Sequence, residues 1–422
     1  MYNDLPKSAS VVQKYGGTSV GDPQRIRAVA ARVARYKAAG WDRIAIVVSA
    51  MAGETNRLVG LMREVNPTGD HRTKAYDMAV SAGEQVSVGL MAEALEAHGV
   101  PSEPLLAYQL QILTDEKHGQ AKIHSIRTDF IESAWKNGRI PVIAGFQGIT
   151  SAMEITTLGR GGSDTSAVAL AAALKAGFCE INTDVDGVYT ADPRYVKNAR
   201  LIEELDYETT LELAALGGKV LHSRCVELAA KHRVPLVVRN TFGPDEARRT
   251  RIMSFGEDKA LEAPIVSGIT LDEDVAKITV RQLPAGNTAI KSIFSEVAHK
   301  EINVDIIVHD HQEDGTVNRV GFTVQKHDLE PAVKAVESLR SQSQFEGLQV
   351  ATQTNLAKVS AVGLGMRSHA GVALTIFEAL AKNEVEILMI STSEIKVSCV
   401  VPLAQGKKAA QVLHGVFFES AK

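Results

Sequence analysis

KYGGTSVGDP, residues 14–23, follows the short apolar run Ala9-Ser10-Val11-Val12. It sets a lysine, two glycines and two hydroxyl side chains directly ahead of an Asp-Pro. Two readings fit: a strand-to-helix turn that needs glycine for its backbone freedom, or a cradle in which backbone N–H groups and a lysine meet a phosphate. Both put a strand before the turn and a helix after it. Asp22 is a good N-cap and Pro23 a good first helical residue. Ile26, Val29, Ala30, Val33 and Tyr36 then recur on one helical face, and Gly40 ends the helix.

The pattern continues outward. RIAIVVSAM (43–51) reads as a buried strand running into a loop, with a helix from about Asn56. RIPVIAGFQG (139–148) is a strand ending in glycines, and GGSDTSAVALAAALKAG (161–177) is a helix opened by capping residues and closed by Gly177. Strands alternating with helices predict a mainly parallel sheet covered on both faces, an α/β fold that keeps ligands in the loops after its strands. Beyond about residue 250 the pattern changes. IFSEVAHKEINVDIIV (293–308) and IFEALAKNEVEILMIS (376–391) match in length and pattern, each a helix feeding a strand, with strand-like segments before and after. A repeated β-α-β-β unit predicts two ferredoxin-like domains that bind or associate rather than catalyse.

The chain has 422 residues, too many for one ordinary core, with 45% hydrophobic and 23% charged residues and a net charge of −4. No basic block marks a nucleic-acid surface. The longest apolar stretch, Ala167 to Leu174, is too short to span a membrane, and the first residues lack the apolar core of a signal peptide. Cys179, Cys225 and Cys399 are widely separated, which predicts reduced thiols and a cytoplasmic protein.

The common nucleotide signatures G-x-x-x-x-G-K-[ST] and G-x-G-x-x-G are absent. Thr157-Leu158-Gly159-Arg160-Gly161-Gly162-Ser163-Asp164-Thr165 nevertheless places three glycines around an arginine at a helix start, a setting suited to an anion. Thr183-Asp184-Val185-Asp186-Gly187-Val188-Tyr189 follows a strand; its Asp186-Gly187 reads as a hairpin turn whether or not the loop also binds nucleotide. His309-Asp310-His311 reads as an exposed strand end more readily than as a metal site.

Taken together, Lys14 to Val20, the Ser49-Ala50-Met51 loop, Gly83-Glu84, Leu158 to Asp164 and Thr183 to Arg194 resemble the aspartate kinases of the amino-acid-kinase family. The C-terminal repeats resemble that family's paired ACT regulatory domains. The likeness covers nearly the whole chain and implies a catalytic domain over residues 1–250 and ACT domains over 262–342 and 354–422. The implied reaction is transfer of the ATP γ-phosphoryl group to the side-chain carboxylate of L-aspartate, the opening step of lysine, threonine and methionine biosynthesis.

The resemblance also implies roles. Lys14 and Asp164 are catalytic, Lys14 stabilising charge on the transferring phosphoryl group and Asp164 orienting Lys14 or the metal. Arg160 holds the substrate α-carboxylate and Glu84 the α-ammonium, with Thr55 assisting and Gly161, Gly162 and Ser163 lining the substrate. Lys14, Tyr15, Gly16, Gly17, Ser49, Thr183, Asp184, Tyr189, Arg194 and Lys219 surround the nucleotide. Without the likeness, Lys219 reads as a solvated helix residue and Glu84 as a surface carboxylate. No side-chain metal site is assigned; Mg²⁺ enters with ATP. The partners implied are ATP, L-aspartate and an amino-acid effector, threonine or lysine, at the ACT domains of a homo-oligomer.

The rivals are a family member acting on glutamate, acetylglutamate, carbamate or UMP, and an amino-acid sensor whose kinase half is inactive. One segment departs from the family. At Leu283-Pro284-Ala285-Gly286-Asn287-Thr288-Ala289 the usual Asp is replaced by Ala285 and the usual Pro-Gly by Asn287-Thr288, and His309-Asp310 stands where relatives have Gln-Asn. This predicts weak inhibition by threonine and lysine.

Overall fold

The computed structural model describes residues 9–69, 72–218, 220–244, 248–254, 266–284, 287–311, 318–364, 366 and 371–419. Two compact units result. One comprises Met1–Thr190 and Arg200–Ala263, the other Ala191–Ala199 and Pro264–Lys422.

The first unit is built on an eight-stranded sheet. Its order is Glu204–Leu205, Thr250–Ile252, Leu236–Asn240, Phe178–Thr183, Val11–Tyr15, Ile44–Val48, Ile140–Ala144 and Ser102–Leu105. Every pairing is parallel except that between Leu236–Asn240 and Thr250–Ile252. Val11–Tyr15, Ile44–Val48 and Ile140–Ala144 are buried along their whole length, as strands covered on both faces must be. Register aligns their ends: Tyr15 lies opposite Val48 and Asn182, and Asn240 opposite Thr183. The loops after Tyr15, Val48, Ala144, Thr183 and Asn240 therefore open on one edge of the sheet, where such folds hold ligands.

Helix Pro23–Ala38 starts as its sequence directs, with the Asp22 side chain accepting from Arg25 N–H and Pro23 in the first turn. Its Ile26, Val29, Ala30, Val33 and Tyr36 are buried. Helix Gly162–Ala173 is apolar nearly all round and packs against Val11–Tyr15. Its start departs from expectation. The N-cap is Gly161 in a left-handed conformation with no side-chain cap, so Ser163 and Asp164 remain available for other work. Asp186-Gly187 forms no two-strand hairpin; Tyr189 bridges instead to Leu201, and a Cβ on Gly187 would sit 2.4 Å from Thr250 Oγ1. A smaller sheet of Ile123–Ser125, Leu113–Thr114, Gln147–Ile149 and Ile155–Thr157 delivers the chain to the Gly159 turn.

The second unit holds both repeats in one six-stranded antiparallel sheet. Its order is Ile307–His311, Asn318–Val324, Gly268–Arg281, Gln349–Val362, Lys396–Pro402 and Met389–Thr392. The two 14-residue strands are shared, with register shifts between Asp272 and Lys277 marking the division. Ala276, Ile278 and Val280 pack with helix Asn287–His299 in one core. Ile269 and Leu271 pack with helix Gly371–Lys382 in another, which also takes in Ala191 and Val196. His309 and Asp310 lie on the edge strand Ile307–His311, with Asp310 paired to Arg319 at 2.5 Å. Ala285 and Gly286 lie outside the described residues.

Candidate active site

Lys14 sits one residue before the end of a central strand, so its side chain is launched at the sheet edge from a rigid, buried backbone. Nζ lies 2.5 Å from Asp164 Oδ1, a direct ion pair. Asp164 occupies the first turn of Gly162–Ala173, where the helix dipole favours a carboxylate. The two glycines after Lys14 are there for closeness. A Cβ on Gly16 would come 3.3 Å from Lys14 Nζ, and one on Gly17 would meet Ala50 O at 2.9 Å. The Ser49–Ala52 loop is locked onto this turn: Ser49 N–H donates to Tyr15 O and Ala52 N–H to Gly17 O, both at 3.1 Å.

The Arg160 loop uses its glycines differently. Gly159 and Gly161 have φ of +77° and +68°, a region costly for residues with a Cβ. Gly161 also faces His222, whose Cβ and Cγ would lie 2.4 Å from an added methyl, and Gly162 faces Phe146. This turn leaves Arg160 exposed, with no partner for its guanidinium among the described residues.

Glu84 is not a surface carboxylate. It lies in the first turn of helix Ala82–Ala97 and is only 3% exposed. Oε1 accepts from Ala50 N–H at 3.1 Å, whereas Oε2 is buried without a partner among the described residues. Burial pushes its pKa up to about 7 against the pull of the Ala50 hydrogen bond. An unpaired buried carboxylate oxygen is costly, and a cationic ligand group relieves that cost.

These groups share one cleft of about 400 Å³, lined by Lys14, Gly17, Ser49, Thr55, Glu84, Arg160, Gly161, Gly162, Ser163 and Asp164. Sequence reasoning missed three further residues here, two in the cleft lining and one behind it. Asn56 and Phe146 line the cleft, Phe146 with φ of +68°. His222 backs Gly161, its Nδ1 buried and without a partner among the described residues, and its pKa lowered by burial. The Gly145-Phe146-Gln147-Gly148 stretch was the one available signal for Phe146; nothing local marks His222. Among the described residues no group of three or more His, Cys, Asp or Glu side chains converges as a metal site.

The residues expected around the nucleotide are more dispersed. Thr183 ends strand Phe178–Thr183 and Asp184 follows it, with Thr183 Oγ1 donating to Asp184 Oδ1 at 3.2 Å. Tyr189 OH donates to Asp186 Oδ2 at 3.2 Å, and Asn240 Nδ2 donates to Asp186 Oδ1 at 3.1 Å. The Tyr15 side chain is fully buried and its hydroxyl donates to Gln13 Oε1, so only its backbone belongs to the turn. Arg194 lies in the segment that clusters with the second unit, its guanidinium held on Asp192. Lys219 lies outside the described residues. Behind these loops Arg32 donates to the Asn240 and Thr241 carbonyls, and Ser19 Oγ lies 2.6 Å from Thr241 Oγ1.

Residues 9–240 match the model of the amino acid kinase family, and residues 359–417 that of the ACT domain. The aspartokinase of Pseudomonas aeruginosa is 46% identical over 410 residues, covering 97% of both chains. Among solved structures, the aspartate kinase from Synechocystis superposes with a TM-score of 0.78 at 29% identity, covering 98% of this chain and 99% of the other. Aspartokinase III of E. coli, in complex with lysine and aspartate, gives a TM-score of 0.72 at 25% identity, covering 97% and 99%. The chain belongs to the amino acid kinase family, among the aspartate kinases that carry a C-terminal ACT domain.

Proposed function

We propose that the cleft binds L-aspartate between Arg160 and Glu84 and passes it the γ-phosphoryl group of ATP at Lys14, giving 4-phospho-L-aspartate for amino-acid biosynthesis. The observation that carries this reading is the pairing of opposites in one cleft: a buried Glu84 oxygen and the Arg160 guanidinium, both without a partner among the described residues, beside the Lys14–Asp164 pair. An amino-acid zwitterion answers both. Arg160 takes the α-carboxylate through its fork of donors and Glu84 takes the α-ammonium, with Thr55 adding a hydroxyl.

The acceptor carboxylate, with an ordinary pKa of about 3.9, is already ionised at neutral pH and needs no general base. The barrier is the approach of one anion to another. Lys14 neutralises charge as it builds on the transferring phosphoryl group, and the bare backbone at Gly16 and Gly17 lets N–H groups come close. Ser49, Gly161, Gly162 and Ser163 border the transfer position. Asp164 holds Lys14 in place and is the carboxylate nearest to it. Mg²⁺ would enter with the nucleotide phosphates, and Asp164 would be available to orient it as well as Lys14. When bound, the ion offsets phosphate charge. Thr183, Asp184 and Tyr189 frame the nucleotide.

At the second unit, an amino-acid effector binds the ACT repeats of a homo-oligomer. Threonine and lysine inhibit weakly, because Ala285 supplies no anion for an effector ammonium. ADP release measured with aspartate, glutamate, acetylglutamate, carbamate and UMP tests the reading. Turnover is expected with aspartate above all, and turnover with another acceptor but not aspartate overturns it. Background turnover with tight amino-acid binding supports the inactive-sensor alternative.

A further inference from the structure

The Arg160 turn is held from outside the cleft by a buried polar cluster that never reaches it. Asp77, in helix Lys74–Val80, is fully buried. His118 Nδ1 lies 2.7 Å from its Oδ2, Gly119 N–H lies 3.1 Å from both oxygens, and Thr157 Oγ1 donates to Oδ1. With the Asp77 carboxyl oxygen accepting, this contact calls for the His118 tautomer that carries hydrogen on Nδ1. Thr157 is the last residue of strand Ile155–Thr157, immediately before Leu158-Gly159-Arg160.

The 118–121 segment clasps the same turn. Ala121 N–H donates to Thr157 O at 2.9 Å, and Gly119 O would lie 3.0 Å from a Cβ on Gly159. Arg224 closes the clasp, donating to Leu158 O and Ala121 O, both at 2.6 Å. Asp77, His118, Thr157 and Arg224 are absent from the cleft lining, whereas Gly159 and Arg160 are part of it.

We propose that Asp77, acting with His118 and Arg224, is a positioning group that fixes the Gly159 turn and so sets affinity for the α-carboxylate of the acceptor amino acid through Arg160. The proposal rests on the assignment of Arg160 to that carboxylate. A carboxylate suits the place because donors converge on both of its oxygens; an amide of the same shape turns an NH₂ toward one set of them. The turn then relaxes and the guanidinium loses its aim, while Lys14 and the nucleotide loops keep theirs.

The test is a double-mutant cycle on the full chain, combining Asp77→Asn with Arg160→Ala and measuring steady-state kinetics for both substrates. Asp77→Asn alone is expected to raise aspartate KM about 10-fold, with kcat changed less than about 3-fold and ATP KM unmoved. In the Arg160→Ala background the same substitution is expected to change aspartate KM less than about 2-fold, because nothing is left to aim. A normal aspartate KM for Asp77→Asn beside an impaired Arg160→Ala overturns the proposal alone, as does an equal effect in both backgrounds. An aspartate KM untouched by Arg160→Ala overturns the assignment of Arg160, and the proposal with it. If Asp77→Asn fails to fold, Thr157→Val, which removes one donor at nearly constant shape, runs the same cycle with the same criteria.

Discussion

Two glycine-rich turns meet in the cleft, and they use the same residue for different physical reasons. In the Lys14 turn, Gly16 and Gly17 have ordinary backbone angles and are small because Lys14 Nζ and the Ala50 carbonyl come close. In the Arg160 turn, Gly159 and Gly161 are left-handed, and Gly161 is also crowded by His222. The first turn brings backbone to a ligand; the second aims a side chain. The chemistry divides along the same line, with charge neutralisation at Lys14 and recognition of the acceptor at Arg160.

The largest expected effect falls on the first turn. Lys14→Ala removes the cation from the transfer position and leaves Asp164 a partly buried charge without its partner. Its kcat is expected to fall about 100-fold or more while aspartate KM changes little. Steady-state kinetics in both substrates check this, and a near-normal kcat would remove Lys14 from the mechanism.

Alanine at the two turns sharpens the contrast. Gly161→Ala adds a methyl 2.4 Å from His222 and strains the backbone at φ of +68°. Gly17→Ala has only the 2.9 Å approach to Ala50 O to relieve. Gly161→Ala is therefore expected to lose about 10- to 100-fold in kcat/KM for aspartate, and Gly17→Ala several-fold less, with its loss spread over ATP as well. An equal loss in both, with the same substrate pattern, would erase the distinction between closeness and aim.

Much of this architecture is legible in the sequence, for reasons that are local. Asp22-Pro23 caps a helix, and unbroken apolar runs become strands covered on both sides. The paired β-α-β-β segments become one sheet, although their spacing does not reveal that each repeat borrows half of the other's long strand. Ser163 and Asp164 read as caps because hydroxyl and carboxylate residues usually satisfy helix N–H groups. Here a left-handed Gly161 begins the helix, and Asp164 turns to Lys14 instead. Asp186-Gly187 reads as a hairpin because its local chemistry allows one, yet Asp186 is drawn to Tyr189 and Asn240. Phe146 is marked only by its flanking glycines, and His222 and Asp77 gain their meaning from partners far away in the chain, which no local pattern records.

The smallest expected effect concerns Glu84, where recognition and stability oppose each other. Its pKa rises from 4.5 to about 7 on folding, chiefly through burial. The folded chain thus holds this proton more tightly than the unfolded one. The stability it contributes is complete below 4.5 and is lost as pH climbs through about 7, a difference of about 3 kcal/mol at most. Glu84→Gln is expected to raise the melting temperature at pH 8, and this gain is expected to shrink below pH 7 and vanish below 4.5. Binding runs the other way. An α-ammonium needs the ionised carboxylate, so aspartate KM of the unsubstituted enzyme is expected to fall severalfold between pH 6 and pH 8. Glu84→Gln should flatten that profile at a high KM. Thermal melts and aspartate titrations across this range read both halves. A pH-independent KM in the unsubstituted enzyme would detach Glu84 from the acceptor and leave the Arg160 turn as the whole of the recognition site.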